Sequence, residues 1–125
     1  MLIFGLKHIH RFFRACCLLT QLNETAHVEF SRSMFSIKVS YFSPHFVAAL
    51  GFKRSFFFYY INSDTQLCTR RIPLKKFCHY LTNGLTCFSM LFTLVYNNPP
   101  RAVLAFRNSC KYIAHFLTKL KSFSL

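Results

Sequence analysis

The sequence predicts a mixed chain, mainly helical at its ends (about 1–22, 81–97 and 101–121), with a short strand or hairpin region at about 35–41 and 55–72 and no well-defined native fold. Three observations carry this expectation. At both ends apolar residues recur at spacings of three and four, the helical period. Residues 35–41 (FSIKVSY) alternate apolar with polar, the period of a half-buried strand. The third is composition: 16 Lys and Arg face 3 acids, a formal charge of +13 in 125 residues, while 53% of the chain is apolar. Soluble surfaces usually mix charges of both signs. This balance therefore predicts self-repulsion in any compact state, and self-aggregation through apolar surface.

Each element follows from its own residues. Over 1–22, Leu2, Leu6, Ile9, Phe13 and Cys16 share one helical face, and Lys7, Arg11 and Arg14 lie elsewhere on the wheel. This acid-free, basic start has the outline of a targeting peptide, without the serine enrichment. Ser43-Pro44 closes the strand at 35–41. The run SFFFYYI (55–61) is uncharged and aromatic, the composition of an aggregation-prone strand. A turn signal at 62–65 pairs it with 66–72 as a hairpin, which Pro73 ends.

The longest uncharged stretch runs from 81 to 100, and its apolar part offers Leu85, Phe88, Leu91, Phe92, Leu94 and Val95 as a candidate membrane segment. That part, 85–96, is shorter than the about 20 residues a spanning helix needs. Thr82, Thr86, Ser89 and Thr93 form a hydroxyl stripe along it. Beyond it, Asn98 suits an N-cap and Pro99 a first helical position. Val103, Phe106, Cys110, Ile113, Leu117 and Leu120 then recur at helical spacing, with Arg101, Arg107, Lys111, Lys119 and Lys121 supplying charge. A basic amphipathic helix of this kind would lie on an anionic membrane surface, making the chain membrane-associated where it is expressed. No internal repeat is visible, and no linker divides 1–125, so the chain reads as a single segment.

The inventory for chemistry is thin. Asp64 is the only Asp, and Glu24 and Glu29 are too ill-spaced to share a helix face or a strand face. Cys78 and His79 are adjacent, so their side chains diverge. With 3 glycines no phosphate-cradling loop is present. Six Cys and six His show no zinc-type spacing. The sequence thus points to no catalytic residue, no cofactor and no metal, and the chain is not expected to be an enzyme.

Residue usage carries the first functional expectation, which is that the chain has no identifiable biochemical function. Ala, Val, Gly, Asp and Glu, whose codons begin with G, number 18, against 40 for Phe, Ser, Tyr and Cys. Ordinary proteins run the other way. The skew fits a T-rich strand read as protein, that is, a dubious or spurious open reading frame. Two alternatives stand beside it. One is a small basic membrane-associated protein. The other is a non-specific nucleic-acid binder, for which Lys53-Arg54, Arg70-Arg71 and Lys75-Lys76 supply phosphate contacts.

Overall fold

A computed structural model describes residues 1–42, 46–63, 66–87, 89–95, 100–110 and 113–124, with side chains up to Arg107. The chain is built mostly of strands. In order come β1 (Leu2–Leu6), α1 (Ile9–Thr20), β2 (Ala26–Phe30), β3 (Met34–Tyr41), β4 (Phe46–Lys53) and β5 (Tyr59–Asn62). They are followed by β6 (Cys68–Ile72), α2 (Leu74–Leu81), β7 (Ser89–Val95), β8 (Arg101–Cys110) and β9 (Ile113–Ser124). Single 3-10 turns at Arg54–Phe56 and Thr82–Gly84 lead into β5 and out of α2.

The strands make two antiparallel sheets, one ordered β5-β1-β7-β8-β9 and the other β4-β3-β2-β6. The same unit occurs twice: a strand, a helix and a three-stranded meander, first as β1-α1-β2-β3-β4 and again as β6-α2-β7-β8-β9. Each unit lends its leading strand to the other's meander, since β1 pairs with β7 and β6 pairs with β2. Neither unit completes a sheet alone. The sequence shows no such repeat because only the topology recurs, not the residues.

The expectation of helical ends and an undefined fold is thereby corrected. Residues 1–22 divide into β1 and α1, with Ile9, Phe12, Cys16 and Leu19 buried. The stretch 81–97 holds the end of α2, a 3-10 turn and β7. Within β7, Met90, Phe92 and Leu94 point inward, while Leu91, Thr93 and Val95 face out or lie half-buried. A spacing of four, as in the Ser89–Thr93 hydroxyls, is even, so it also suits one face of a strand. The stretch 101–121 is corrected as well: it holds β8 and β9 rather than a basic helix. Along β8, Ala102, Leu104 and Phe106 are buried and Arg101 and Arg107 exposed, a clean period of two. The supposed hairpin at 55–72 is divided as well: β5 joins one sheet and β6 the other.

One apolar core lies between the sheets and helices, and among the described residues Ser89 is the only buried polar side chain. Phenylalanine dominates it. Phe4, Phe12, Phe30, Phe35, Phe77, Phe92 and Phe106 are fully buried. Phe4 of one sheet and Phe35 of the other stand 5.0 Å apart, closing the two layers on each other. Even the aromatic run is divided, with Phe57 and Tyr60 inside and Phe58, Tyr59 and Ile61 exposed. The charge imbalance does not prevent this. All the described Lys and Arg lie outside the buried set, where water and salt screen them over about 8 Å.

Candidate nucleic-acid interface

The two helices lie side by side, each with a sharply divided face. On α1 the buried residues fall at spacings of 3, 4 and 3, leaving His10, Arg11, Arg14 and Leu18 exposed. On α2 Leu74, Phe77, Cys78 and Leu81 turn inward and Lys75, Lys76 and His79 outward. Both helices rest on the same aromatic layer. Phe12 lies 6.0 Å from both Phe4 and Phe77, and Phe77 is 5.6 Å from Phe92. Their outward stripes therefore form one surface, carrying Arg11, Arg14, Lys75 and Lys76.

Few acids offset these cations. Glu24, just beyond α1, accepts from Lys75 Nζ at 3.2 Å, and Glu29 of β2 accepts from Lys38 Nζ at 2.7 Å. Asp64 lies outside the described residues. The Lys75–Glu24 pair is about 70% exposed on both sides, so it adds little stability and opens readily to a competing anion. Beside it is a hollow of about 490 Å³, lined by Thr25, Pro73, Lys75, Lys76 and His79 together with Glu24. Lys76 Nζ stands 5.9 Å from the centre of the Tyr80 ring, which holds its stem along α2. His10 Nε2 donates to the Leu85 carbonyl at 2.8 Å, pinning α1 to the turn after α2.

Where the helices touch, Cys16 and Cys17 of α1 meet Cys78 of α2. Hydrogen bonds from Cys16 and, less strongly, Cys17 hold the Cys78 thiol below its ordinary range. The same contact with Cys78, followed by burial, pushes Cys16 well up, and burial pushes Cys17 up. The cluster is a packed joint between the helices. Among the described residues no group of three or more His, Cys, Asp or Glu could hold a metal ion.

The residues singled out from sequence are not assembled into a membrane element. Leu85 is half-buried in the turn after α2. Phe92 and Leu94 are in the core, Leu91 and Val95 are on the outer side of β7, and Phe88 lies outside the described residues. Among the described residues no helix is long and apolar enough to cross a membrane. The expected membrane association through 85–96 and through a basic helix is corrected accordingly, because the first segment contributes β7 and the second β8 and β9 to one sheet. Arg101 and Arg107 project from the outer face of β8. Lys119 and Lys121 fall in β9, opposite Phe106 and Leu104 in register. Lys111, like Asn98 and Pro99, lies outside the described residues. Sequence reasoning placed Arg11 and Arg14 together but missed their partners on α2. The available signal was Pro73 followed by apolar residues at 74, 77, 78 and 81.

No family model matches the chain, and no curated protein does. Among solved structures, the fold of two sheets and two helices is similar to that of PCNA from Thermococcus kodakaraensis, with a TM-score of 0.74 at 11% sequence identity. The match takes in 100% of this chain and 46% of that one, so the chain spans about half the length of that neighbour. At this identity the likeness is one of fold.

Proposed function

We propose that the α1–α2 surface binds the phosphate backbone of nucleic acid without regard to sequence. The observation that carries this reading is the exposure of Arg11, Arg14, Lys75 and Lys76 on adjoining helices, beside one weakly held acid. Four cations on one rigid face can each replace a condensed counterion, and helices held by a shared core keep them in place. The overall charge of +13 adds long-range attraction. Among the described residues no element projects from this face to read base edges, so phosphate contacts supply the affinity.

Fluorescence anisotropy with labelled mixed-sequence duplex DNA tests the reading. Four phosphate contacts predict a slope of log K against log salt of about −3.6, or roughly a 150-fold loss between 50 and 200 mM. The double variant Arg11→Glu/Lys76→Glu should bind at least tenfold more weakly and reduce the slope by about 2. Arg71→Glu, on the outer face of the other sheet, should change it far less. Equal losses from both changes would leave only diffuse charge attraction and sink the helix face as a site.

A second reading retains one support, the residue-usage skew toward Phe, Ser, Tyr and Cys: a reading frame without selected function. It expects no ribosome footprints initiating at Met1 and a longer gene on the opposite strand. In-frame footprints with a detectable peptide, and no overlapping gene, would dismiss it.

A further inference from the structure

Away from the helices, the outer face of the five-stranded sheet carries a row of register partners: Tyr59 on β5, Gly5 on β1, Leu91 on β7 and Ala105 on β8. Ala105 is too small to fill its place beside Leu91, whereas the space over Gly5 is taken up by a neighbouring ring. Phe58 leans over Gly5, its ring 2.5 Å from where a Cβ would stand. An apolar hollow of about 320 Å³ results, walled by Ile3, Phe58, Tyr59, Leu91 and Ala105, with exposed Arg107 at its lining. Lys7 Nζ sits 5.5 Å from the centre of the Phe58 ring, adding a second cation at the hollow's edge.

We propose that this hollow receives one apolar side chain of an acidic partner peptide, with a neighbouring carboxylate of that peptide against the Arg107 guanidinium. Its volume is at the lower end of ligand-binding cavities, enough for a single bulky side chain and little more. Charge selects the occupant. Arg107 is the only charged group lining the hollow among the described residues, and Lys7 stands beside it. A second copy of this chain would bring its own +13 and only 3 acids, so like charge opposes self-docking on this face. An acidic segment meets attraction both locally and from the whole molecule. The site is separate from the helix face and does not depend on it.

The test is anisotropy of the full chain with a fluorescein-labelled acidic pentapeptide bearing one central phenylalanine. The expected result is saturable binding that weakens about tenfold for Arg107→Glu, the loss of one charge-assisted pair. Ala105→Trp, which fills the hollow while leaving the charges unchanged, should abolish it. Arg11→Glu/Lys76→Glu, at the helix face, should retain most of it. The same peptide with alanine at its centre should bind at least tenfold more weakly. Equal binding of the alanine peptide, or full binding to Ala105→Trp, would overturn the hollow as the site. Displacement of the peptide by phenylacetate at equal concentration would make the occupant a free aromatic acid and overturn the peptide assignment. Circular dichroism of each variant establishes that it is folded before its binding is scored.

Discussion

Replacing Phe4 with alanine should lower the unfolding free energy by about 4 kcal/mol, a large share of the 5–15 kcal/mol available to a domain of this size. Phe4 is where the two sheets and the first helix meet. Its ring centre lies 4.6 Å from that of Phe57, 4.7 Å from Phe92, 5.0 Å from Phe35 and 6.0 Å from Phe12. The residue is 0% exposed, and its neighbours belong to different elements, so they cannot close together around a void without moving a strand. Both terms of a cavity mutation therefore apply: lost transfer energy and lost contacts around the space left behind. Phe4→Leu keeps most of the volume and should lose less than half as much. Urea titration followed by circular dichroism measures both. A loss of under about 1 kcal/mol for the alanine variant would mean that Phe4 is not at the centre of a packed core.

The second large effect concerns Tyr60 and depends on pH. Its ring is buried against Phe57 at 5.3 Å. Its single hydroxyl hydrogen is shared between the carbonyls of Ser31 at 2.7 Å and Met34 at 3.0 Å. That joins β5, an edge of one sheet, to the β2–β3 hairpin of the other. Burial pushes the phenol from 10.0 up to about 12, with Arg54 pulling weakly the other way. A group whose pKa is raised by folding supports the fold in its protonated state. This contribution is fully present below pH 10 and is lost as pH rises toward 12, to a total of about 3 kcal/mol. At neutral pH, Tyr60→Phe should lose roughly 0.5–1.5 kcal/mol, the net worth of the lost hydrogen bond, since the Met34 carbonyl still accepts from the Ser31 N–H. The gap between wild type and variant should then shrink from pH 10 to 12. Cys16 and Cys17, also raised, titrate in both proteins and cancel in the difference. A gap that stays constant through that range would show the hydroxyl to be solvent-exposed.

Some of this architecture was readable from residues alone. The alternation at 35–41 coincides with β3, because a strand with one buried face writes a period of two into its sequence. The apolar period near the N-terminus coincides in part with α1, where Ile9 and Cys16 are indeed buried, while Leu2 and Leu6 of the same supposed face belong to β1. The C-terminal half was misread for a definite reason. In β8, Val103 and Phe106 are three apart and lie on opposite faces, so a helical wheel joins residues that the sheet separates. The helix cations were visible as letters; their assembly into one surface was not, since Arg14 and Lys76 are brought together by packing across 62 positions of sequence.

Composition determined that this protein is strongly cationic, short of carboxylates and rich in phenylalanine, and hence that any binding partner chosen by charge is an anion. Local pattern determined β3 and part of α1. Tertiary structure alone decided the exchange of leading strands between the two units, the pairing of β5 and β6 with different sheets, and the joining of α1 to α2. These are contacts between residues distant in the chain, and a short window of sequence holds no record of its partner. Burial of an aromatic core is available to many arrangements of this composition; strand pairing and ring packing across the two sheets select one.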